Sequence, residues 1–383
     1  MNQLLDLPLG ISSQQQLLLK AAILQPEKAI SFWNKWKENQ RFGLQNTTKA
    51  DGLTGVFDLL DYDSRRLLPL VYHNLENSED LLVESMRVNY RYNLLKGKFL
   101  LNGATKLTDR LQKAGFDVML LKGIPVALRY YENLGLRPMD DIDIFIPPHQ
   151  TEKAIEFLTS NLGLTVNSHE NELRKMGMFH AIHFTDGKSL DVDLHCNFHI
   201  YNLNAESDQP IWDHKIPLSL GRGVSTFTVS TTHQLYRNFT HGYPWLLAGA
   251  AIRWVPDSIF ILKNSGAEID WEALFELATK QKMILPVCSM LRYLRQHFSI
   301  TYPPKIDERL NRVNGSKVEQ YYFKHLIKAE SYKGREWKYL GNKLIRIFLR
   351  YYLFQERDIR DGFSTWLLKR IRYTRILKKL SSG

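Results

Sequence analysis

A chain of 383 residues with 44% apolar and 24% charged residues has the balance of a globular protein and the length for two or three domains. Its two cysteines, Cys196 and Cys288, exclude a disulfide framework and a CxxC metal pair; no leader signal and no run of about eighteen uncharged apolar residues stands out, so the expected setting is the cytoplasm, with no transmembrane segment. The net charge of +11 is uneven: residues 331–383 hold 14 Lys+Arg against 4 Asp+Glu, or +10, which leaves +1 for the rest and puts the capacity for an anionic partner in the C-terminal segment.

Residues 12–37 and 53–76 are leucine-rich at helical spacing, and 79–115 reads as long helices behind an N-cap region at Ser78, Glu79 and Asp80. Residues 1–98 are therefore expected to form a helical N-terminal domain, and 99–200 an α/β core. The core opens with an apolar run, Phe116 to Leu121, that reads as a strand closed by Lys122-Gly123. Ile124, Ala127, Leu128 and Tyr131 then follow at helical spacing, with Gly135 suited to the helix C-terminus. Strand, glycine and helix can present backbone N–H groups to phosphate, and Lys122 adds charge there.

The stretch Arg137-Pro-Met-Asp-Asp-Ile-Asp-Ile-Phe-Ile146 carries most of the chemistry. On a strand, Asp141 and Asp143 share one face while Ile142, Ile144 and Ile146 share the other. Two neighbouring carboxylates raise each other's pKa unless a cation sits between them. Mg²⁺, which favours a few carboxylates plus phosphate oxygens, is the natural candidate, so the pair reads as a nucleotide–metal site. Asp140 faces the other way and reads as a turn or cap residue. Arg137 suits either a triphosphate or a pair with Asp140.

Pro147-Pro148 ends that strand, and Thr151 to Leu162 reads as a helix returning across the sheet. His180 and His183 are an odd interval apart, which argues against a joint zinc site. Ser189 to Cys196 alternates strictly, with Leu190, Val192 and Leu194 on one face and Asp191, Asp193 and His195 on the other. Alone, this is the wet face of an edge strand. Beside Asp141 and Asp143, one of its carboxylates would complete a two-metal site. His195 would orient Asp193, touch substrate, or act as a structural hydrogen bonder.

Residues 201–229 read as loop and short strand, broken by Pro210, Pro217, Gly221 and Gly223. Thr232 to about Phe298 is helical, giving a mainly helical domain over 201–330. In it His241, Arg253 and Asp257 either cap the cleft and meet base or acceptor, or belong to packed helices with an Arg253–Asp257 pair. Trp245 and Trp254 read as core. In the basic segment 331–383, Trp366 to Leu380 has the pattern of a basic amphipathic helix, fit for RNA, anionic lipid, an acidic partner or simple packing.

Leu121-Lys122-Gly123, Arg137 to Asp143 and Asp193-Leu194-His195 together resemble a bacterial nucleotidyltransferase family within the polymerase-beta-type fold. Further likeness lies at Leu67 to Tyr72, His241-Gly242, Arg253 to Asp257 and Ile269-Asp270-Trp271, so that it covers roughly residues 15–310. The turn carries Gly123-Ile124 where the wider superfamily has Gly-Gly or Gly-Ser. The resemblance implies an α+β fold with a mixed sheet between helical domains. It implies transfer of NMP, with ATP the default donor, from an NTP to a hydroxyl or similar acceptor, with release of pyrophosphate. It implies two Mg²⁺ ions, or Mn²⁺ in their place, on Asp141, Asp143 and Asp193. Asp193 would be the base, Asp191 its competitor, and Lys122, Gly123 and Arg137 the nucleotide contacts. The acceptor is open: a biosynthetic peptide or saccharide, a small molecule, or tRNA in a toxin-like role. A non-catalytic nucleotide-binding scaffold is the alternative from another class.

Overall fold

The computed structural model describes residues 9–44, 57, 60–166, 181–199, 205–246, 252–331, 336–354 and seven residues between 362 and 372. They fall into two compact units. One draws on Met1–Gly97, Ala127–Pro138 and Thr231–Leu353, the other on Lys98–Val126, Met139–Ser230 and Phe354–Gly383.

The second unit holds a mixed seven-stranded sheet. Its strands are β1 (Met119–Leu121), β2 (Ile142–Phe145), β3 (Thr165–Val166), β4 (Ala181–Thr185), β5 (Asp191–His195), β6 (Ile216–Gly221) and β7 (Val224–Thr228), in the order β3-β4-β5-β2-β1-β7-β6. The fold is α+β, as the motifs imply. β2 runs antiparallel to β1 and parallel to β5. The central strands bury Leu120, Ile142, Ile144, Val192 and Leu194 completely; in β2 and β5 these apolar residues share the face opposite the carboxylates. Residues 98–113 of the long helix Arg87–Lys113 pack on this sheet at Gly103. A Cβ there would meet Leu190 Cδ1 at 3.0 Å and Ile142 Cδ1 at 3.3 Å.

The apolar run from Phe116 gives a strand of only three residues, and the helix starts at once, at Gly123, ending at Tyr130. Gly135 is therefore not a helix C-cap. It lies in a 3₁₀ turn, Leu134–Leu136, where its own Cβ would come within 2.7 Å of Tyr90 Cε2 and 3.0 Å of Leu94 Cβ. Its role is close approach. The segment 201–229 is also more regular than its breakers suggest. Helix Ala205–Asp213 contains Pro210, and β6 and β7 form a complete hairpin turned by Gly221, Arg222 and Gly223, all at positive φ. Pro217 lies in β6, at the outer edge of the sheet, where a missing N–H is tolerated.

The first unit is helical. Ser12 and Gln15 form a reciprocal capping box on helix Ser13–Ile23. Asn74 donates to the carbonyls of Ala21 (2.8 Å) and Leu24 (2.7 Å) at that helix's far end. Trp33 and Trp36, both fully buried on Pro26–Leu44, stack at 4.9 Å. Trp254 is core as expected, while the side chain of Trp245 lies outside the described residues. Asp257, on helix Trp254–Ser265, accepts from Arg137 Nε (2.9 Å), Arg137 Nη2 (2.8 Å) and Tyr131 Oη (2.6 Å). Burial disfavours the Asp257 anion, but the paired guanidinium outweighs it and keeps the carboxyl below its ordinary range. Helix Glu336–Phe354 continues the basic segment. Of the stretch Trp366 to Leu380, only Leu367, Leu368, Ile371 and Arg372 are described, in helical conformation; the rest of that expectation lies outside the described residues.

Candidate active site

The parallel pairing of β2 with β5 sets Asp143 directly opposite Asp193 and Phe145 opposite His195. Two residues about fifty positions apart thereby share a sheet face, a juxtaposition that strand parity permits and only the pairing register creates. Ligand atoms of Asp143, Asp193 and His195 all lie within 4.8 Å of one another. Asp141 stands one residue before β2, half-buried, and Asp191 opens β5, paired with Thr185; neither belongs to that cluster. Asp140 is exposed in the segment before β2.

Asp143 is buried with its side chain 2% exposed, yet it is not left to repel its neighbours. Lys122 Nζ donates to its Oδ1 at 2.6 Å, and His195 Nε2 lies 2.8 Å from the same oxygen. An ionised carboxylate only accepts, so that imidazole nitrogen carries the hydrogen. Burial pushes the Asp143 pKa up, but Lys122 and His195 together overcome it and hold the carboxyl well below the usual carboxylate range. The raised pKa expected of crowded anions is thus reversed at Asp143, because a cation from the chain sits on it. His195, fully buried, meets Asp143 directly.

Lys122 joins β1 to helix Gly123–Tyr130 and adopts φ 49°, a left-handed conformation rarely taken by a residue with a side chain. That kink ends the strand and starts the helix within one residue.

The residue missed from the sequence is His183. β4 pairs with β5 so that His183 stands opposite Asp193, with Nδ1 3.0 Å from Asp193 Oδ1 and Nε2 3.5 Å from Asp191 Oδ1. A signal existed. Asp186-Gly187 between two alternating runs marks a hairpin, and its register sets 183 against 193. Asp186 Oδ1 accepts the N–H groups of Lys188, Ser189 and Leu190 at 2.8–3.0 Å and fixes that turn. His180 lies outside the described residues.

The other expected contacts are placed elsewhere. Arg137 is 3% exposed and engaged bidentately with Asp257. Arg253 donates to Pro138 O at 3.1 Å and also helps lower the Asp257 pKa through its charge, while the direct hydrogen bonds to Asp257 come from Arg137 and Tyr131. His241 is half-buried on helix Thr231–Leu246.

The donor set fits a divalent cation: two carboxylates opposed across paired strands, with an imidazole within reach. Among the described residues no helix is long and apolar enough to cross a membrane.

A family model described as "Uncharacterised nucleotidyltransferase" matches residues 62–299. A solved structure of an antigenic nucleotidyltransferase-like protein from Paracoccidioides brasiliensis is similar at 12% identity, covering 56% of this chain and 94% of that one, with a TM-score of 0.34. No curated protein matches the chain.

Proposed function

The chain belongs to the uncharacterised nucleotidyltransferase family and is a nucleotidyl-transferring enzyme, and from that premise we propose that it transfers AMP from ATP to a hydroxyl acceptor and releases pyrophosphate. The observation that carries this reading is the β2–β5 register, which opposes Asp143 to Asp193 beside His195 and Lys122.

In this reading Asp143 and Asp193 hold divalent metal, with Asp141 as a further carboxylate ligand. Bound metal supplies charge neutralisation at the phosphates and lowers the pKa of the attacking oxygen. The rest falls to the chain's own groups. Lys122 and the N–H groups opening helix Gly123–Tyr130 bind the phosphates. His195 fixes the rotamer of Asp143. Asp193, more exposed than Asp143, takes the proton from the acceptor hydroxyl, and His183 fixes its orientation. The acceptor oxygen then bonds to the α-phosphorus as the bond from that phosphorus to the bridging oxygen breaks. The electron pair leaves with pyrophosphate. Arg137, expected as a nucleotide contact, gives its Nε and Nη2 to Asp257.

The acceptor we favour is a peptide or saccharide product under tailoring, with tRNA the second candidate because of the +10 charge of residues 331–383. The test is pyrophosphate release from pooled NTPs with Mg²⁺ or Mn²⁺, supplied in turn with cell extract and bulk tRNA. Metal-dependent release that disappears in Asp143→Asn supports the reading. Release of equal size by wild type and Asp143→Asn overturns it.

A further inference from the structure

One oxygen of the candidate site carries two donors. Lys122 Nζ and His195 Nε2 both meet Asp143 Oδ1, at 2.6 and 2.8 Å. The His195 ring is wholly enclosed, whereas Lys122 keeps 17% of its side chain exposed and hangs from a strand–helix junction. Of the two donors, only the ammonium has somewhere to go. A divalent cation on Asp143 Oδ1 would meet a like charge at contact distance, so metal and ammonium compete for one oxygen. The same junction opens the helix whose N-terminal amides suit phosphate, so a triphosphate offers the ammonium a second anionic partner close by. Keeping a lysine at φ 49° costs the backbone what a glycine would avoid, and the side chain is what the chain gains for it.

We propose that Lys122 is a built-in counter-ion that occupies the metal position on Asp143 and passes to the nucleotide phosphates when an NTP enters, so that nucleotide and metal bind cooperatively. This rests on the reading of Asp143 as a metal ligand. The coupling is reciprocal: whatever factor nucleotide adds to metal affinity, metal adds to nucleotide affinity. The enzyme would thereby resist loading with metal alone and assemble its site around the NTP–metal pair.

Mn²⁺ binding to the full-length chain, stripped with chelator, tests this by the electron paramagnetic resonance signal of free Mn²⁺. The probes are Mn²⁺ alone and Mn²⁺ with an ATP analogue carrying a methylene in place of the α,β-bridging oxygen. Lys122→Met keeps the alkyl stem and removes the charge; Lys122→Arg keeps the charge. Without nucleotide, Lys122→Met should bind Mn²⁺ about tenfold more tightly than wild type, with Lys122→Arg close to wild type. The analogue should tighten Mn²⁺ binding in wild type, after correction for Mn²⁺ held by the analogue itself, and do so far less in Lys122→Met. Equal or weaker Mn²⁺ binding by Lys122→Met, with binding lost in Asp143→Asn, overturns the counter-ion and leaves the metal site standing. Undiminished Mn²⁺ binding by Asp143→Asn overturns the site itself. Should Lys122→Met fail to fold, the wild-type measurement still decides: no tightening by the analogue refutes the proposal.

Discussion

Asp143 remains an anion in a place where burial alone would neutralise it. Its depressed pKa means that its contribution to stability is fully present above the ordinary carboxylate range and is lost as pH falls through the lower folded value. Asp143→Asn should therefore flatten the loss of stability between about pH 5 and pH 2, measured as urea midpoints against pH. At neutral pH the same change strands Lys122 beside a neutral amide, so it should destabilise by about 1–3 kcal/mol, where two crowded anions would have predicted relief. An unchanged or higher midpoint at pH 7 would show that the Lys122 contact contributes nothing. For the opposite strand we expect Asp193→Asn to lower kcat by about 10²-fold or more, as loss of a general base does, and Asp191→Asn far less. The reverse order in steady-state assays would transfer the role to Asp191.

At the scale of elements, β5 was legible because its alternation is strict, and β2 because Asp141 and Asp143 share a parity opposite Ile142, Ile144 and Ile146. Their partnership was not, since pairing register between distant strands leaves no local trace. Arg137 illustrates the same limit: nothing around it points to Asp257, which lies 120 residues away and captures it in the fold. The helix Ala205–Asp213 was missed because Pro210 reads as a breaker, although its backbone still supports the helix. Gly135 was found as a constraint but for the wrong reason, since close approach to Tyr90 is invisible to a capping rule. The Arg137–Asp257 pair gives this scale its prediction. Arg137→Met leaves a buried carboxylate with the Tyr131 hydroxyl and the Arg253 charge but no direct cationic partner, and should cost about 3–5 kcal/mol in chemical denaturation. A loss below about 1 kcal/mol would mean that the pair matters little to stability. Asp257→Asn combined with Arg137→Met should recover part of the loss, because it removes the stranded charge.

Across the whole molecule, charge is distributed against the chemistry. The segment 331–383 holds nearly all the net positive charge, while the candidate site sits on carboxylates set in a segment close to neutral. If the acceptor is nucleic acid, removing residues 364–383 should weaken binding to bulk tRNA most at low salt and flatten the dependence of affinity on salt, because counterion release drives such contacts. Turnover of a small acceptor should survive the truncation. Equal, salt-insensitive tRNA binding by full-length and truncated chains, in fluorescence titrations, would leave the tail without a role in acceptor choice.

The β2–β5 pairing has one more consequence, for measurement. Asp143 and Asp193 are fifty residues apart along the chain and opposed only within the sheet, so an unfolded chain offers metal the solvated carboxylates of one segment or the other, not the opposed pair. Metal binding energy is then folding energy, and the melting temperature becomes a titration axis: saturation at a hundred times the Kd should add about 2.7 kcal/mol to native stability. A thermal-shift screen of cations and nucleotides can thus rank the ligands of this enzyme before any acceptor is known.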